Sequence, residues 1–265
     1  MIYLRFFARS KARFGIMKDG KIIELSKSYF KPGLCNRFEN YALTKNKFLL
    51  NSVEVLPPCE PSKIIGVGLN YKDHAKELNF PLPKNPILFQ KPISAVIAHK
   101  DKIVLSKKSK QIDYEGELAI VIGKKCKNVS VKNSHKYIFG YTCANDVTAR
   151  DLQKLDGQWA RAKAFDTFAP IGPYIVSGIN PLKLKIETFL NGKVVQSSNT
   201  KNMVFNVYKL VSFISAIMTL LPGDIIITGT PFGVGQLKHN DVLSVNIEKI
   251  GELINICKKD NGYEN

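Results

Sequence analysis

Apolar and polar positions alternate along much of the chain with a period of about two, the spacing of strands that bury one face. Residues 13–17 and 22–25 flank Asp19-Gly20, a pair suited to the positive φ of a tight turn, and predict a β-hairpin near the start. Short apolar runs predict further strands at 64–67, 87–90, 103–105, 115–122 and 138–143. Residues 184–190 and 194–196 form another predicted hairpin across Asn191-Gly192, and 224–228, 242–247 and 253–257 complete the set. Helical spacing is clear in one place, where Leu210, Phe213, Ile214, Ile217 and Leu221 share a face ahead of Pro222-Gly223. Asn70 with Asp73 resembles a capping box for a short helix reaching Leu78. With strands dominant and no strand–helix–strand alternation, the pattern predicts a mixed, mainly β fold and excludes a dinucleotide-binding one.

The run Leu56-Pro57-Pro58-Cys59-Glu60-Pro61 is expected to be a linker, since proline removes ladder donors. It divides the chain into a small N-terminal β-rich domain, 1–56, with a loop around Pro32-Gly33, and a catalytic-sized domain, 57–265. At 45% hydrophobic and 23% charged residues, disorder and fibrous classes are excluded. The most apolar stretch, 211–221, is too short for a membrane span and is interrupted by Ser212, Ser215 and Thr219. Arg5 and Arg9 break up any secretory signal. Five scattered cysteines with no C-x-x-C pair argue against a disulfide framework or a zinc site, and a reducing, cytoplasmic location is the expectation.

A formal charge of +17 invites a nucleic-acid reading. Only six of the 39 basic residues are arginine, however, and no zinc-finger spacing, basic zipper or aromatic RNA-binding signature accompanies them. The charge is therefore assigned to a solvated lysine surface, with nucleic acid not an expected partner.

The acids are more informative. Asp113, Glu115 and Glu117 would share one face of a strand whose other face, Leu118, Ile120 and Ile122, is core. Parallel buried carboxylates repel and need a cation, and an all-oxygen set selects Mg²⁺, Mn²⁺ or Ca²⁺ over Zn²⁺. An exposed acidic edge neutralised by nearby lysines accounts equally well for that strand taken alone. Asp146 follows the predicted strand at 138–143, with Arg150 and Gln153 spaced to share its helical face, and Trp159 and Lys163 come next. By itself Asp146 also suits a turn or an N-cap. His74 and Glu77, at i and i+3, can touch on the short predicted helix.

Five motifs occur in one order: Gly66-Val67-Gly68-Leu69-Asn70-Tyr71-Lys72-Asp73-His74, Asp113-Tyr114-Glu115-Gly116-Glu117-Leu118, Asn145-Asp146-Val147-Thr148-Ala149-Arg150-Asp151-Leu152-Gln153, Lys163-Ala164-Phe165-Asp166-Thr167, and Thr228-Gly229-Thr230-Pro231-Phe232-Gly233-Val234-Gly235. From about Pro57 to Cys257 the chain thereby resembles the fumarylacetoacetate hydrolase family. The resemblance implies a mixed, mainly β sandwich roll with a few short helices, and a homodimer. It implies a divalent ion, normally Mg²⁺, held by Glu115, Glu117 and Asp146. Larger family members add an upstream aspartate with no clear counterpart here, so water or substrate would complete the coordination. Lys163 matches the lysine that stabilises a developing enolate, Arg150 and Gln153 look like substrate-side residues, and Thr230 is similar to the residue contacting a substrate carboxylate. His74 and Glu77 would orient and deprotonate a water. The implied substrate is a small 2-oxo or 1,3-dicarbonyl carboxylate, and the reaction expected first is hydrolytic C–C cleavage of an acylpyruvate-like compound. Decarboxylation of an oxaloacetate-like acid and keto–enol isomerisation of an unsaturated dicarboxylate use the same enolate. The rival outside enzymology is a basic homodimer that binds nucleic acid or another anion.

Overall fold

The computed structural model describes residues 1–30, 41–73 and 81–260. The loop around Pro32-Gly33 and most of the helix expected up to Leu78, with His74 and Glu77, lie outside the described residues. Among the described residues no helix is long and apolar enough to cross a membrane.

The chain opens on β1 (Ile2–Ala8), β2 (Lys11–Lys18), β3 (Lys21–Leu25) and β4 (Leu43–Phe48), each antiparallel to the one before. The predicted turn between β2 and β3 forms, with Asp19 and Gly20 at φ 50° and 72°. β5 (Glu54–Leu56) pairs with β1, and β6 (Ile64–Gly68), β7 (Ile87–Lys91), β8 (Val96–Ile97) and β9 (Lys102–Leu105) follow. Then come β10 (Ile112–Tyr114), β11 (Gly116–Ile122), β12 (Ile138–Asn145), β13 (Thr148–Ala149) and two short helices, α1 (Arg150–Asp156) and α2 (Ala160–Lys163). After β14 (Ala169–Val176), the hairpin of β15 (Lys185–Leu190) and β16 (Lys193–Asn199) turns on Asn191 and Gly192 at φ 52° and 78°. Helix α3 (Val207–Ile217), β17 (Ile225–Ile227), β18 (Gly235–Gln236), β19 (Val242–Ile247) and β20 (Gly251–Lys259) complete the chain.

Three sheets result among the described residues. The largest runs β4-β3-β2-β1-β14-β12-β11-β17-β6-β7, with β5 and β8 attached to its side. Because Ile2 and Tyr3 pair with Val176 and Ile175, the N-terminal strands extend this sheet. The Pro-rich stretch is packed rather than exposed: Cys59 is buried, Tyr29 donates its hydroxyl to Pro58 O, and Arg5 binds Glu60 at 2.6 Å. The second sheet runs β16-β15-β19-β20-β9, and a small third one runs β13-β10-β18.

Both faces of β11 are buried, which accounts for its continuous apolar run. Leu118, Ile120 and Ile122 pack with Ile186, Val245 and Ile247 of the second sheet and with Leu210, Val211 and Ile214 of α3. Ala119 and Val121 face the other way, into a core with Ile171, Ile175, Tyr3, Tyr29 and Phe139. The acidic segment is not one unbroken strand, because β10 belongs to the third sheet and β11 to the first. Glu115 sits where the chain changes sheets. The α3 stripe is also shorter than its sequence pattern, since the helix ends at Ile217 and Leu220 then pairs in extended form with Cys126.

Candidate metal centre and active site

β11 and β12 are antiparallel neighbours, with Gly116 opposite Asn145 and Glu117 opposite Ala144. Their shared end brings Glu115, before β11, against Asp146, after β12. Two bonds lock this corner: Glu115 N donates to Asn145 Oδ1 at 2.9 Å, and Asp146 N donates to Glu115 O at 2.9 Å. One carboxylate oxygen from each of Glu115, Glu117 and Asp146 lies within 4.8 Å of the others, and all three residues are buried. The same-face placement expected for Glu115 and Glu117 thus leads to convergence, with the sheet change at Glu115 adding Asp146 from the neighbouring strand. Asp146 itself precedes β13 and does not share the helix with Arg150 and Gln153, contrary to the spacing argument.

Three cations surround the carboxylates. Lys163, at the end of α2 and 2% exposed, donates from Nζ to Asp146 Oδ2 at 2.5 Å, Thr148 Oγ1 at 2.6 Å and Glu115 Oε2 at 3.0 Å. Its ammonium lies 4.7 Å from the centre of the Phe89 ring. Arg150, at the start of α1, bonds to Glu115 through Nη2, to Asp113 Oδ2 through Nε at 2.9 Å and to Gln153 Oε1 through Nη1 at 2.6 Å. Asp113 also accepts from Gln111 at 3.2 Å, so it anchors the guanidinium and stands outside the convergent three. The third cation is Lys91, at the end of β7, which donates to Asp146 Oδ1 at 2.6 Å and Val147 O at 3.1 Å.

The electrostatics differ among these groups. Burial pushes the Glu117 carboxyl well above its ordinary pKa, and the Asp146 and Glu115 carboxylates push it further, against Lys163 and the Gly229 amide. For Lys163, burial opposes the charged form, but Asp146 and Glu115 outweigh it and raise the pKa. Lys91 is lowered, because burial is only partly offset by Asp146 and the Lys163 charge adds repulsion. Arg150 is raised, Glu115 and Asp113 together overcoming its burial.

The glycine-rich segment supplies the remaining wall. Gly229 N donates to Glu117 Oε2 at 2.6 Å, and Gly229 adopts φ +94° with no room for a side chain, since a Cβ would lie 2.7 Å from Asn70 Cβ and 3.0 Å from Val67 O. Thr230 is 3% exposed, donates to Gly116 O at 3.0 Å and accepts from Gln196 Nε2 at 2.9 Å. Of the residues singled out from sequence, Glu115, Glu117, Asp146, Lys163, Arg150 and Gln153 are joined directly in this constellation, and Thr230 adjoins it through Gly229 and Gly116. His74 and Glu77 lie outside the described residues.

Lys91, Thr148 and Gln196 belong to the same network and were not legible in the sequence. Lys91 is one lysine in a lysine-rich chain. Its one local signal is its place as the last residue of an apolar strand run, before Pro92. Gln196 holds Gly116 N at 3.0 Å and Thr188 Oγ1 at 2.8 Å from the second sheet, a link no local pattern announces.

The donor set fits a divalent ion. Three buried carboxylates, each with an oxygen within 4.8 Å of the others, offer hard oxygen ligands.

This geometry is matched by kinship. Residues 63–257 match the family model for the fumarylacetoacetate (FAA) hydrolase C-terminal domain, a span that contains every member of the site. A protein of Archaeoglobus fulgidus is 62% identical over 210 residues, covering 79% of this chain and 84% of that one. The mitochondrial oxaloacetate tautomerase of Rattus norvegicus is 46% identical over 210 residues, covering 75% and 67%. The crystal structure of 2-hydroxyhepta-2,4-diene-1,7-dioate isomerase from Mycobacterium marinum superposes with a TM-score of 0.90 at 38% identity, over 99% of this chain and 100% of that one. The mainly β architecture, the acidic corner between β11 and β12, and the long stretch of shared sequence lead to one conclusion: the chain belongs to the fumarylacetoacetate hydrolase family of enzymes.

Proposed function

We propose that the site enolises a small 2-oxo or 1,3-dicarbonyl carboxylate with the help of a divalent ion, and that its reaction is keto–enol interconversion. Glu115, Glu117 and Asp146 would hold the ion, Mg²⁺ or, with the same oxygen set, Mn²⁺ or Ca²⁺. When bound, such an ion supplies Lewis acidity toward the substrate carbonyl.

One observation carries the reading. Lys163 is buried and flanked by two acids that favour its proton, so it presents a fixed positive charge beside the ligands. A preorganised ammonium of this kind stabilises an oxyanion as it develops on the 2-oxo oxygen, without solvent reorganisation. Arg150, steered by Asp113 and Gln153, would bind the substrate carboxylate, and Thr230 would do so only by turning its hydroxyl away from Gly116 O. His74, oriented by Glu77, would move the proton at C3.

Tautomerisation is preferred to the C–C hydrolysis expected first from sequence, because relatives at 46% and 38% identity carry the names of a tautomerase and an isomerase. Hydrolytic cleavage of an acylpyruvate remains the second reading, supported by the His74–Glu77 spacing, which would equally deprotonate a water. A homodimer is part of the proposal, and light scattering during gel filtration tests it.

The experiment is an assay of oxaloacetate enol decay and of acylpyruvate cleavage with Mg²⁺. Faster ketonisation than in buffer, suppressed by chelator, is the expected result. Cleavage of acylpyruvates without tautomerisation would select the second reading, and no turnover of either would refute both.

A further inference from the structure

Lys91 is buried on β7, the edge strand of the large sheet, and shares a strand face with Phe89, the ring beside Lys163. Burying an ammonium costs several kcal/mol unless a counter-charge is close. Here the counter-charge is Asp146, whose two oxygens are divided: Oδ1 accepts from Lys91 at 2.6 Å and Oδ2 from Lys163 at 2.5 Å. Both side chains of the Lys91–Asp146 pair are almost wholly out of solvent.

Lysines pressed against a candidate ligand from both sides are a poor way to hold a divalent ion alone, because each nearby positive charge weakens its binding. They suit a centre that must hold the ion and an anion together. Asp113, Glu115, Glu117 and Asp146 set four carboxylates against the three cations Lys91, Lys163 and Arg150. With every group ionised the local charge is negative by about one unit. A divalent ion reverses the sign and leaves the centre attractive to a carboxylate. Without Lys91, ion binding would only neutralise the centre.

We infer that Lys91 is a positioning residue that sets the charge of the centre, giving up affinity for the divalent ion in return for affinity toward a carboxylate substrate. This rests on the metal-dependent reading above. It predicts a change of opposite sign in two binding constants, which loss of a structural prop would not produce.

The test is titration calorimetry at pH 8 on the metal-free full chain with MnCl₂, then on the Mn²⁺-loaded protein with pyruvate, for the wild type, Lys91→Met and Lys91→Gln. In both variants Mn²⁺ should bind more tightly, and pyruvate more weakly, each by about tenfold. Lys91→Gln keeps a hydrogen-bond donor toward Asp146, so it guards against failure of the Met variant to fold. Mn²⁺ binding that weakens or stays unchanged in the folded variants overturns the inference and leaves the metal reading intact. So does pyruvate affinity that does not fall. A wild type that binds no Mn²⁺ overturns both.

Discussion

At the scale of single residues, the site depends on groups that are costly to bury and therefore placed for a reason. Lys163 is the clearest, with three acceptors around one ammonium. Lys163→Met is expected to lower kcat by about 10²–10³-fold, the usual loss for a preorganised oxyanion stabiliser, in steady-state assays with Mg²⁺. Gly229 carries a different constraint, since its amide must reach Glu117 from a left-handed backbone with no space for a Cβ. Gly229→Ala should cost about 1–3 kcal/mol in urea unfolding, besides lowering activity. Glu115 and Glu117 stand out in the sequence as carboxylates two apart beside an apolar run, whereas Asp146, which alone also suits a turn or an N-cap, joins them only through the family resemblance. Lys91 stands out far less, because its one local signal, closing an apolar strand run before Pro92, does not tell a buried ammonium from a solvated one.

At the scale of elements, turns are more legible in the sequence than helix ends. Asp19-Gly20 and Asn191-Gly192 adopt the positive φ values that make such pairs hairpin signals. Helix α3 falls short of its sequence pattern at the C-terminal end, whereas Asn206 caps its start by accepting from Tyr208 N at 3.1 Å and Lys209 N at 3.0 Å. Asn206→Ala should destabilise the fold by about 1 kcal/mol, measured by thermal or chemical denaturation. β14 is hidden in the sequence, where Pro170, Gly172 and Pro173 look like breakers, yet it pairs with β1, β8 and β12. Tertiary pairing overrode local preference there. In the N-terminal strands, burial pushes the Glu24 carboxyl up, but Asn46 at 2.6 Å and the Arg13 guanidinium more than offset it, and its pKa is lowered. An acid held down in the fold stabilises it above its unfolded pKa, near 4.5, and loses that contribution as pH falls through the lower folded value. The melting-temperature gap between wild type and Glu24→Gln should therefore be full at pH 7 and close as pH falls through the lowered folded value.

At the scale of the whole molecule, the candidate centre forms where the chain passes from the small sheet to the large one at Glu115. The mainly β class and the core face of Leu118, Ile120 and Ile122 were readable from alternation alone. The change of sheet was not, because it depends on partners 30 and 80 residues away, Asn145 and Gln196. The charge of +17 also takes on a narrower meaning. Three basic residues, Lys91, Arg150 and Lys163, are paired with three buried acids, Asp113, Glu115 and Asp146, at the candidate site. An ion bound by the fold and not by the unfolded chain must also stabilise it, so chelator should lower the melting temperature of the Mg²⁺-loaded wild type and leave Glu117→Gln nearly unmoved. The most direct test of the central claim follows enolisation itself. Deuterium entry at C3 of oxaloacetate, recorded by NMR in D₂O, should run faster than in buffer with Mg²⁺ and fall to the buffer rate with chelator or in Glu117→Gln. Exchange no faster than in buffer, or exchange untouched by chelator, would contradict a metal-dependent enolising site.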